Sequence, residues 1–275
     1  MPFRLTDPFV DVDGVRLECR WIGPAPDRAP TVVMLHEGLG SVAQWKDFPA
    51  RVADVTGCGV FAYSRQGYGG SDSVRLPRPL SYMHDEALKV LPRLLDEIGF
   101  IRGLLFGHSD GASIATIYAG GVEDHRVRGL VLLAPHFFVE ALSLESIRQA
   151  KQAYETGDLR DRLRKYHGDN VDGAFRGWND AWLHPDFAKW DITEYLAYVR
   201  VPILIVQGED DPYGTPRQVE VAESECYCPV ESVLLPGCGH APQLDRPEAT
   251  LAAIRDFAER LFVTHGEAAP LRSTA

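Results

Sequence analysis

Short apolar segments alternate with longer amphipathic segments along most of the chain. The apolar segments are rich in Val, Leu and Ile, and they cover residues 9–12, 15–21, 31–35, 59–63, 101–106, 127–133, 202–206 and 231–235. Residues 81–99, 109–120 and 246–262 have the composition of helices. This alternation predicts an α/β fold with a mostly parallel sheet of eight strands. Asp13 and Gly14 form a hairpin signal, so the sheet is predicted to begin antiparallel.

The region from 137 to 200 departs from this rhythm, because no strand is predicted within it. Segments 142–154 and 159–166 have helical patterns, and the region contains Trp178, Trp182 and Trp190. The tryptophans either form a core of their own or line a substrate site. We therefore predict one core domain formed by 1–136 and 201–263, a helical cap formed by 137–200, and a disordered tail at 264–275.

Composition indicates an ordinary globular protein of 275 residues, with 45% hydrophobic and 24% charged residues. The net charge of -11 argues against nucleic acid as a partner, since phosphate backbones would be repelled. No apolar run approaches the roughly 20 residues of a membrane span, and no signal-peptide pattern opens the chain. The five cysteines lack disulfide or zinc spacing. We expect a cytoplasmic protein with no membrane association.

One short motif indicates a nucleophilic serine. Gly107, Ser109 and Gly111 form the pattern G-x-S-x-G between a predicted strand and a predicted helix. Glycines at 107 and 111 leave room for a sharp turn that would place Ser109 in a strained conformation at the sheet edge. In this context the pattern predicts a nucleophile elbow, whereas by itself it would be weak evidence.

Two later segments supply the partners that a nucleophilic serine needs. A cluster of acids, Glu209, Asp210 and Asp211, follows the strand at 202–206, and His240 lies in a glycine-rich loop after the strand at 231–235. A histidine oriented by a carboxylate is the usual base for a serine hydroxyl. We therefore predict a triad, with either Asp211 or its neighbour Asp210 as the acid.

These segments together resemble the α/β-hydrolase superfamily over about residues 9–262. The matching motifs are Leu35-His36-Glu37-Gly38-Leu39-Gly40-Ser41, Ser64-Arg65-Gln66-Gly67-Tyr68-Gly69-Gly70-Ser71-Asp72, Gly107-His108-Ser109-Asp110-Gly111, Gly208-Glu209-Asp210-Asp211 and Gly239-His240. The resemblance implies helices on both faces of the sheet and a cap after the sixth strand. It also implies that Asp211 is the acid, and that the backbone N–H groups of Gly38 and Asp110 form the oxyanion hole.

The chain departs from the family pattern at three positions. Glu37 replaces a typical glycine, Asp110 a common apolar residue, and Ser64 a common aspartate. If Glu37 and Asp110 are ionised and point inward, anionic substrates would be repelled. Alternatively, both side chains point away into hydrogen bonds with their loops.

The resemblance favours a serine esterase that forms an acyl-enzyme, with related thioesters and lactones as possible substrates. Glu37, His136, Trp178 and Trp182 are candidate substrate-binding residues. The mechanism requires no cofactor and no metal, and the expected partner is a small-molecule substrate, bound by a monomer or a homodimer. Two alternatives remain open: hydrolysis of a carbon–carbon bond in a ring-cleavage product, and a ligand-binding member of the fold without catalysis.

Overall fold

The computed structural model describes residues 4–262, so the tail predicted at 264–275 lies outside the described part of the chain. Eight strands form one sheet: β1 (Phe9–Val12), β2 (Val15–Ile22), β3 (Thr31–Leu35), β4 (Gly59–Tyr63), β5 (Gly103–His108), β6 (Val127–Leu133), β7 (Ile203–Gly208) and β8 (Val230–Leu235). Their spatial order is β1-β2-β4-β3-β5-β6-β7-β8. The β1–β2 and β2–β4 pairs are antiparallel and the other five pairs are parallel. The predicted fold class is confirmed.

The helices pack around this sheet. In chain order over residues 4–262 they are α1 (Phe48–Thr56), α2 (Tyr82–Asp85), α3 (Leu91–Glu97), α4 (Asp110–Gly121), α5 (Ala141–Thr156), α6 (Leu159–His167), α7 (Val171–Trp182), α8 (Thr193–Leu196), α9 (Arg217–Glu225), α10 (Pro242–Asp245) and α11 (Pro247–Phe262). A π-helical segment, Glu86–Val90, joins α2 to α3. None of the helices within 4–262 is long and apolar enough to cross a bilayer.

Alternation along the buried strands creates a core on each face of the sheet. Val33 and Leu35 of β3 belong to the cluster that packs against α3, α4 and the inserted helices. Val32 and Met34 of the same strand belong to a second cluster, which includes apolar residues of α1 and α11. Since successive side chains of a strand point to opposite faces, one short apolar segment supports both layers.

The segment between β6 and β7 is helical, as its lack of strand patterns suggests. It contains α5 to α8, and its only β contact among the described residues is an isolated bridge between Phe138 and Asp191. Helix α7, which the sequence analysis did not predict, places Trp178 and Trp182 four residues apart on one helix face. Both tryptophans are buried against the sheet domain and line one cavity with it.

The turn between β5 and α4 brings backbone atoms into close contact at the sheet edge. A Cβ atom on Gly107 would lie 2.3 Å from the carbonyl oxygen of Gly111, and one on Gly111 would lie 2.0 Å from that of Leu35. Ser109, between the two glycines, has φ 53° and ψ -117°. That positive φ is unfavourable for an L-residue, so the surrounding contacts hold the serine in place.

We predict that Gly111→Ala destabilises the fold, because the added methyl would meet backbone atoms that cannot rotate away. The free energy of unfolding should fall by about 1–3 kcal/mol or more, measured by urea denaturation. Gly173→Ala is the matched control, since the nearest atom to its Cβ would be 3.9 Å away. That helix position should gain up to about 1 kcal/mol. Equal stability of Gly111→Ala and the wild type would contradict this account of the turn.

Candidate active site

Ser109 stands where β5 ends and α4 begins, and its side chain borders a cavity between the sheet domain and the inserted helices. Its N–H donates to the carbonyl oxygen of Leu133, 2.9 Å away, which ties the turn to the end of β6. Asp110 opens α4, so its N–H is among the first four of the helix and has no intrahelical acceptor. The turn therefore presents a hydroxyl and a helix N-terminus to one space.

His240 and Asp211 are brought together from two separate loops. The Nδ1 of His240 lies 2.9 Å from each carboxylate oxygen of Asp211, and one of these oxygens also accepts from the N–H of Tyr213 at 2.8 Å. These contacts outweigh the effect of burial and lower the pKa of Asp211. Asp210, the competing acid, is exposed. The structure thus places Asp211, and not Asp210, against the imidazole.

The loop that carries His240 is held close to the sheet edge. Gly208, the last residue of β7, allows this approach, because a Cβ there would lie 2.1 Å from the carbonyl oxygen of Cys238. The Nε2 of His108 lies 2.7 Å from the carbonyl oxygen of His240. His108 directly precedes Ser109, so this contact links the loop of the imidazole to the strand of the hydroxyl.

Ser109 and His240 line the same cavity, which has a volume of about 180 Å³. Its apolar wall includes Leu39, Ile147 and the two buried tryptophans, and its polar lining includes Glu37 and His136. Trp178 lies directly over the loop that follows β3 and contains Gly38, since a Cβ on Gly38 would be 2.2 Å from its Nε1. All four candidate substrate-binding residues of the sequence analysis therefore border this cavity.

A buried arginine supports the loop that follows β3. The guanidinium of Arg65, which is 1% exposed, donates to the carbonyl oxygens of His36 and Glu37, the latter at 2.9 Å. Burial opposes its charge, but nearby acidic groups, among them Asp110 and Glu86, outweigh burial and raise its pKa. The sequence analysis did not identify this support, because nothing local distinguishes Arg65 from a solvated arginine.

The carboxylate of Asp110, a buried residue that also borders the cavity, is hydrogen-bonded to two other side chains. One oxygen accepts from the Tyr82 hydroxyl at 2.5 Å, and the other accepts from Nε1 of Trp182 at 3.3 Å. Burial raises the pKa of Asp110, while Arg65 and these two donors oppose the shift. Asp110 thereby joins Trp182 of the inserted helix α7 to the turn that carries Ser109.

Glu37 behaves differently, because its side chain borders the cavity and is 27% exposed. Its carboxylate lies 3.6 Å from Nδ1 of His108. Burial opposes ionisation of both groups, but the attraction and hydrogen bond between them favour it more strongly. The pKa of Glu37 is therefore lowered and that of His108 is raised. Both acids beside the predicted oxyanion hole border the cavity, but the Glu37 side chain is partly exposed whereas Asp110 is fully buried.

Ser64, the third departure from the family pattern, is hydrogen-bonded to a carboxylate of another strand. The Ser64 hydroxyl donates to Glu18 of β2 at 2.6 Å and accepts from the N–H of Val42 at 2.9 Å. Glu18 also accepts from the N–H of Gly70 at 3.0 Å. Ser64 and Glu18 together thus accept hydrogen bonds from this loop region, at the position where the family commonly has a single aspartate.

Tyr213 belongs to the site but was missed from the sequence. Its ring centroid lies 4.7 Å from that of His240, and it borders the cavity. The Ser143 hydroxyl of α5 donates to its carbonyl oxygen at 2.5 Å, which fastens the inserted helices to the loop of Asp211. Its position two residues after the acid was the only sequence signal.

Within residues 4–262, no group of three or more His, Cys, Asp or Glu residues is arranged to hold a metal ion.

Comparisons with known proteins agree with this architecture. The chain is 26% identical to a proline iminopeptidase of Lactobacillus delbrueckii subsp. lactis, over 87% of this chain and 93% of that protein. An enol-lactonase from Burkholderia xenovorans matches with a TM-score of 0.71 at 19% identity, covering 91% of this chain and 99% of that one. A carboxylesterase of Nitrososphaera gargenis matches with a TM-score of 0.75 at 17% identity, covering 94% and 100%. Structural likeness at such identities shows the fold alone.

The family comparison covers most of the chain. A family model described as "Alpha/beta hydrolase family" matches residues 32–254, a range that begins in β3 and ends in α11. This range includes Ser109, Asp211 and His240. The chain therefore belongs to the α/β hydrolase family.

Proposed function

We propose that this α/β hydrolase is a serine esterase that cleaves small, uncharged carboxylic esters through an acyl-enzyme intermediate. The observation that carries the proposal is the convergence of Ser109 and His240 on one cavity, with Asp211 hydrogen-bonded to the far side of the imidazole. A serine, a base and an orienting carboxylate are the parts that nucleophilic acyl transfer needs.

In the proposed reaction, the Ser109 hydroxyl attacks the carbonyl carbon while His240 accepts its proton. Asp211 holds the imidazole and stabilises its charged form. The N–H groups of Gly38 and Asp110 are assigned to the oxygen that becomes negative, an interaction worth about 100- to 1000-fold in rate for each donor in other enzymes. His240 then gives the proton to the departing alcohol, and water cleaves the acyl-enzyme through the same base.

The size of the cavity supports small substrates. An apolar cavity of about 150 Å³ can hold one benzene molecule. The cavity of about 180 Å³ beside Ser109 is therefore suited to one short or cyclic group of the substrate. A long acyl chain would need displacement of the cap residues Ile147, Trp178 or Trp182.

One observation favours a second candidate, cleavage of an amide next to an N-terminal residue. The proline iminopeptidase to which the chain is similar covers nearly its whole length, and a carboxylate at Glu37 beside the cavity suits a cationic amine. We propose esters rather than amides as substrates because an alcohol leaves the tetrahedral intermediate more easily than an amine does. A carbon–carbon bond hydrolase is disfavoured if its substrate is anionic, since Glu37 would repel it.

A substrate panel tests the choice between these activities. We expect the purified protein to hydrolyse ethyl acetate and ethyl butyrate faster than ethyl octanoate, with acid release followed at constant pH. L-proline p-nitroanilide should be turned over far more slowly than the short esters. Rapid release of p-nitroaniline with no ester turnover would instead establish the peptidase alternative.

Substitution of the nucleophile should abolish activity and leave the fold intact. We predict that Ser109→Ala loses about 10³-fold or more in kcat/KM toward ethyl butyrate. A fluorophosphonate probe should add one adduct to the wild type, as measured by intact mass, and none to Ser109→Ala. Ser224→Ala, at an exposed serine of α9, is the control and should react as the wild type does. A fully active Ser109→Ala variant would refute the proposal.

The charge of the Glu37–His108 pair predicts a pH-dependent selectivity. Below the raised pKa of His108 the ionised pair has no net charge, and above that pKa it carries one negative charge. The preference for ethyl butyrate over the anion of monoethyl succinate should therefore increase between pH 6 and pH 9. Arg65, Asp211 and His240 also lie near the pair, so the comparison needs a variant.

Glu37→Gln provides that comparison. It removes the carboxylate, and the ratio of kcat/KM for the two esters should change little with pH, or change in the opposite direction as His108 loses its proton. Spontaneous hydrolysis at each pH is subtracted from the rates. A ratio that rises with pH equally in Glu37→Gln and in the wild type would show that another group sets the selectivity.

A further inference from the structure

Four histidines of the described chain are almost completely buried, and one of them differs from the other three. Each of His36, His108, His136 and His167 is at most 2% exposed. A buried ring nitrogen without a hydrogen bond costs free energy, so buried polar atoms are nearly always paired. The partners of the four rings therefore indicate what each histidine does.

Three of these rings have partners for both nitrogens. His36 lies 2.7 Å from the carbonyl oxygen of Glu37 through Nδ1 and accepts from the N–H of Arg65 through Nε2 at 3.1 Å. His108 contacts the carbonyl oxygen of His240 at 2.7 Å and the amide nitrogen of Gln243 at 3.1 Å. These contacts explain the two histidines as parts of the loop structure.

The third ring joins the cap to the core in the same way. Nδ1 of His167 accepts from the N–H of Gly69 at 3.0 Å, and its Nε2 lies 2.9 Å from the carbonyl oxygen of Leu39. Both loops that it reaches belong to the core domain, one after β4 and one after β3. His167 is therefore also explained by structure alone.

His136 has no such explanation. Its Nδ1 is buried and lacks a hydrogen-bond partner within residues 4–262. The backbone around it is satisfied, since its carbonyl oxygen accepts from the Ser113 hydroxyl at 2.6 Å. The unpaired group is thus confined to the ring, and the ring borders the cavity of Ser109. Because Nδ1 itself has almost no accessible surface, a bound molecule would reach the ring through Nε2.

The position of the ring suits contact with a bound molecule. Its centroid lies 5.5 Å from that of His240 and 5.4 Å from that of Trp182, against which it stands edge-on. Burial lowers the pKa of His136 to about 3, so the ring is neutral in ordinary buffers. A neutral imidazole offers one donor and one acceptor, and a hydroxyl group can match either.

We propose that His136 is a specificity-determining residue that hydrogen-bonds a hydroxyl group carried by the bound ester. This inference rests on the proposed esterase function and narrows its substrate class to small hydroxylated esters. A carboxylate in the same place is disfavoured, because Glu37 and Asp211 are ionised nearby. An unsubstituted ester would leave the imidazole without a partner, which is how polar sites reject apolar analogues.

Matched ester pairs test the proposal on both sides of the scissile bond. Ethyl 2-hydroxybutyrate and ethyl 3-hydroxybutyrate are compared with ethyl butyrate, and 2-hydroxyethyl butyrate is compared with propyl butyrate. In the wild type, at least one hydroxylated ester should exceed its partner by about 10-fold or more in kcat/KM. Acid release at constant pH measures all five substrates in one assay.

Three variants assign the preference to the imidazole. His136→Leu removes both nitrogens at similar volume, and its ratio for the preferred pair should fall close to one. His136→Gln keeps a donor and an acceptor and should retain part of the preference. Ile147→Val, which changes the cavity wall without a polar group, should keep the preference for the hydroxylated ester. Thermal unfolding of each variant verifies that it is folded.

The outcomes separate this inference from the proposed function. Turnover of esters by the wild type with no preference in any pair would overturn the role of His136 and leave the esterase proposal standing. A preference that survives in folded His136→Leu would also overturn it. Absence of turnover with every ester would overturn both proposals. A preference lost in His136→Leu and partly kept in His136→Gln supports the inference.

Discussion

The close approach of helix α4 to the end of β3 is the constraint on which the site depends. At Gly107 and Gly111 the backbone is so near other carbonyl groups that no side chain fits. This crowding fixes the turn between β5 and α4 and holds Ser109 at a positive φ that an isolated peptide would avoid. The strain is thus maintained by packing, and it lifts the serine hydroxyl to the cavity at the mouth of the sheet.

Two buried side chains near that turn, Arg65 and Asp110, form hydrogen bonds that connect the surrounding loops and helices. Arg65 donates to two carbonyl oxygens of the loop that follows β3, and Asp110 accepts from Tyr82 and Trp182. Burying such groups without partners would cost several kcal/mol for each charge, so their hydrogen bonds have to form together. The hydrogen bonds of Arg65 restrain the loop that contains Gly38.

The cap helices take part in the site through polar contacts as much as through apolar packing. Trp182 is bound to Asp110, Ser143 to the carbonyl oxygen of Tyr213, and His167 to Gly69 and Leu39. The sequence analysis left open whether the tryptophans of the inserted segment form a core or line a substrate site. Trp178 and Trp182 do both, because they are buried and also line the cavity. His136 also belongs to that wall, and its Nδ1 has no hydrogen-bond partner within residues 4–262.

The sequence alone determined the α/β fold, the helical insertion and the order of the serine, acid and histidine segments, because strand periodicity, glycine spacing and loop position are local properties. It could not choose among contacts made across the chain. The family resemblance favoured Asp211 over Asp210 as the partner of His240, and the fold places Asp211 there. That the Asp110 carboxylate bonds Tyr82 and Trp182, that Glu37 pairs with His108, and that Arg65 is buried were decided by tertiary structure. Each depends on which groups 20 to more than 70 positions away come within hydrogen-bond distance, as between Trp182 and Asp110, and only the folded chain brings them there.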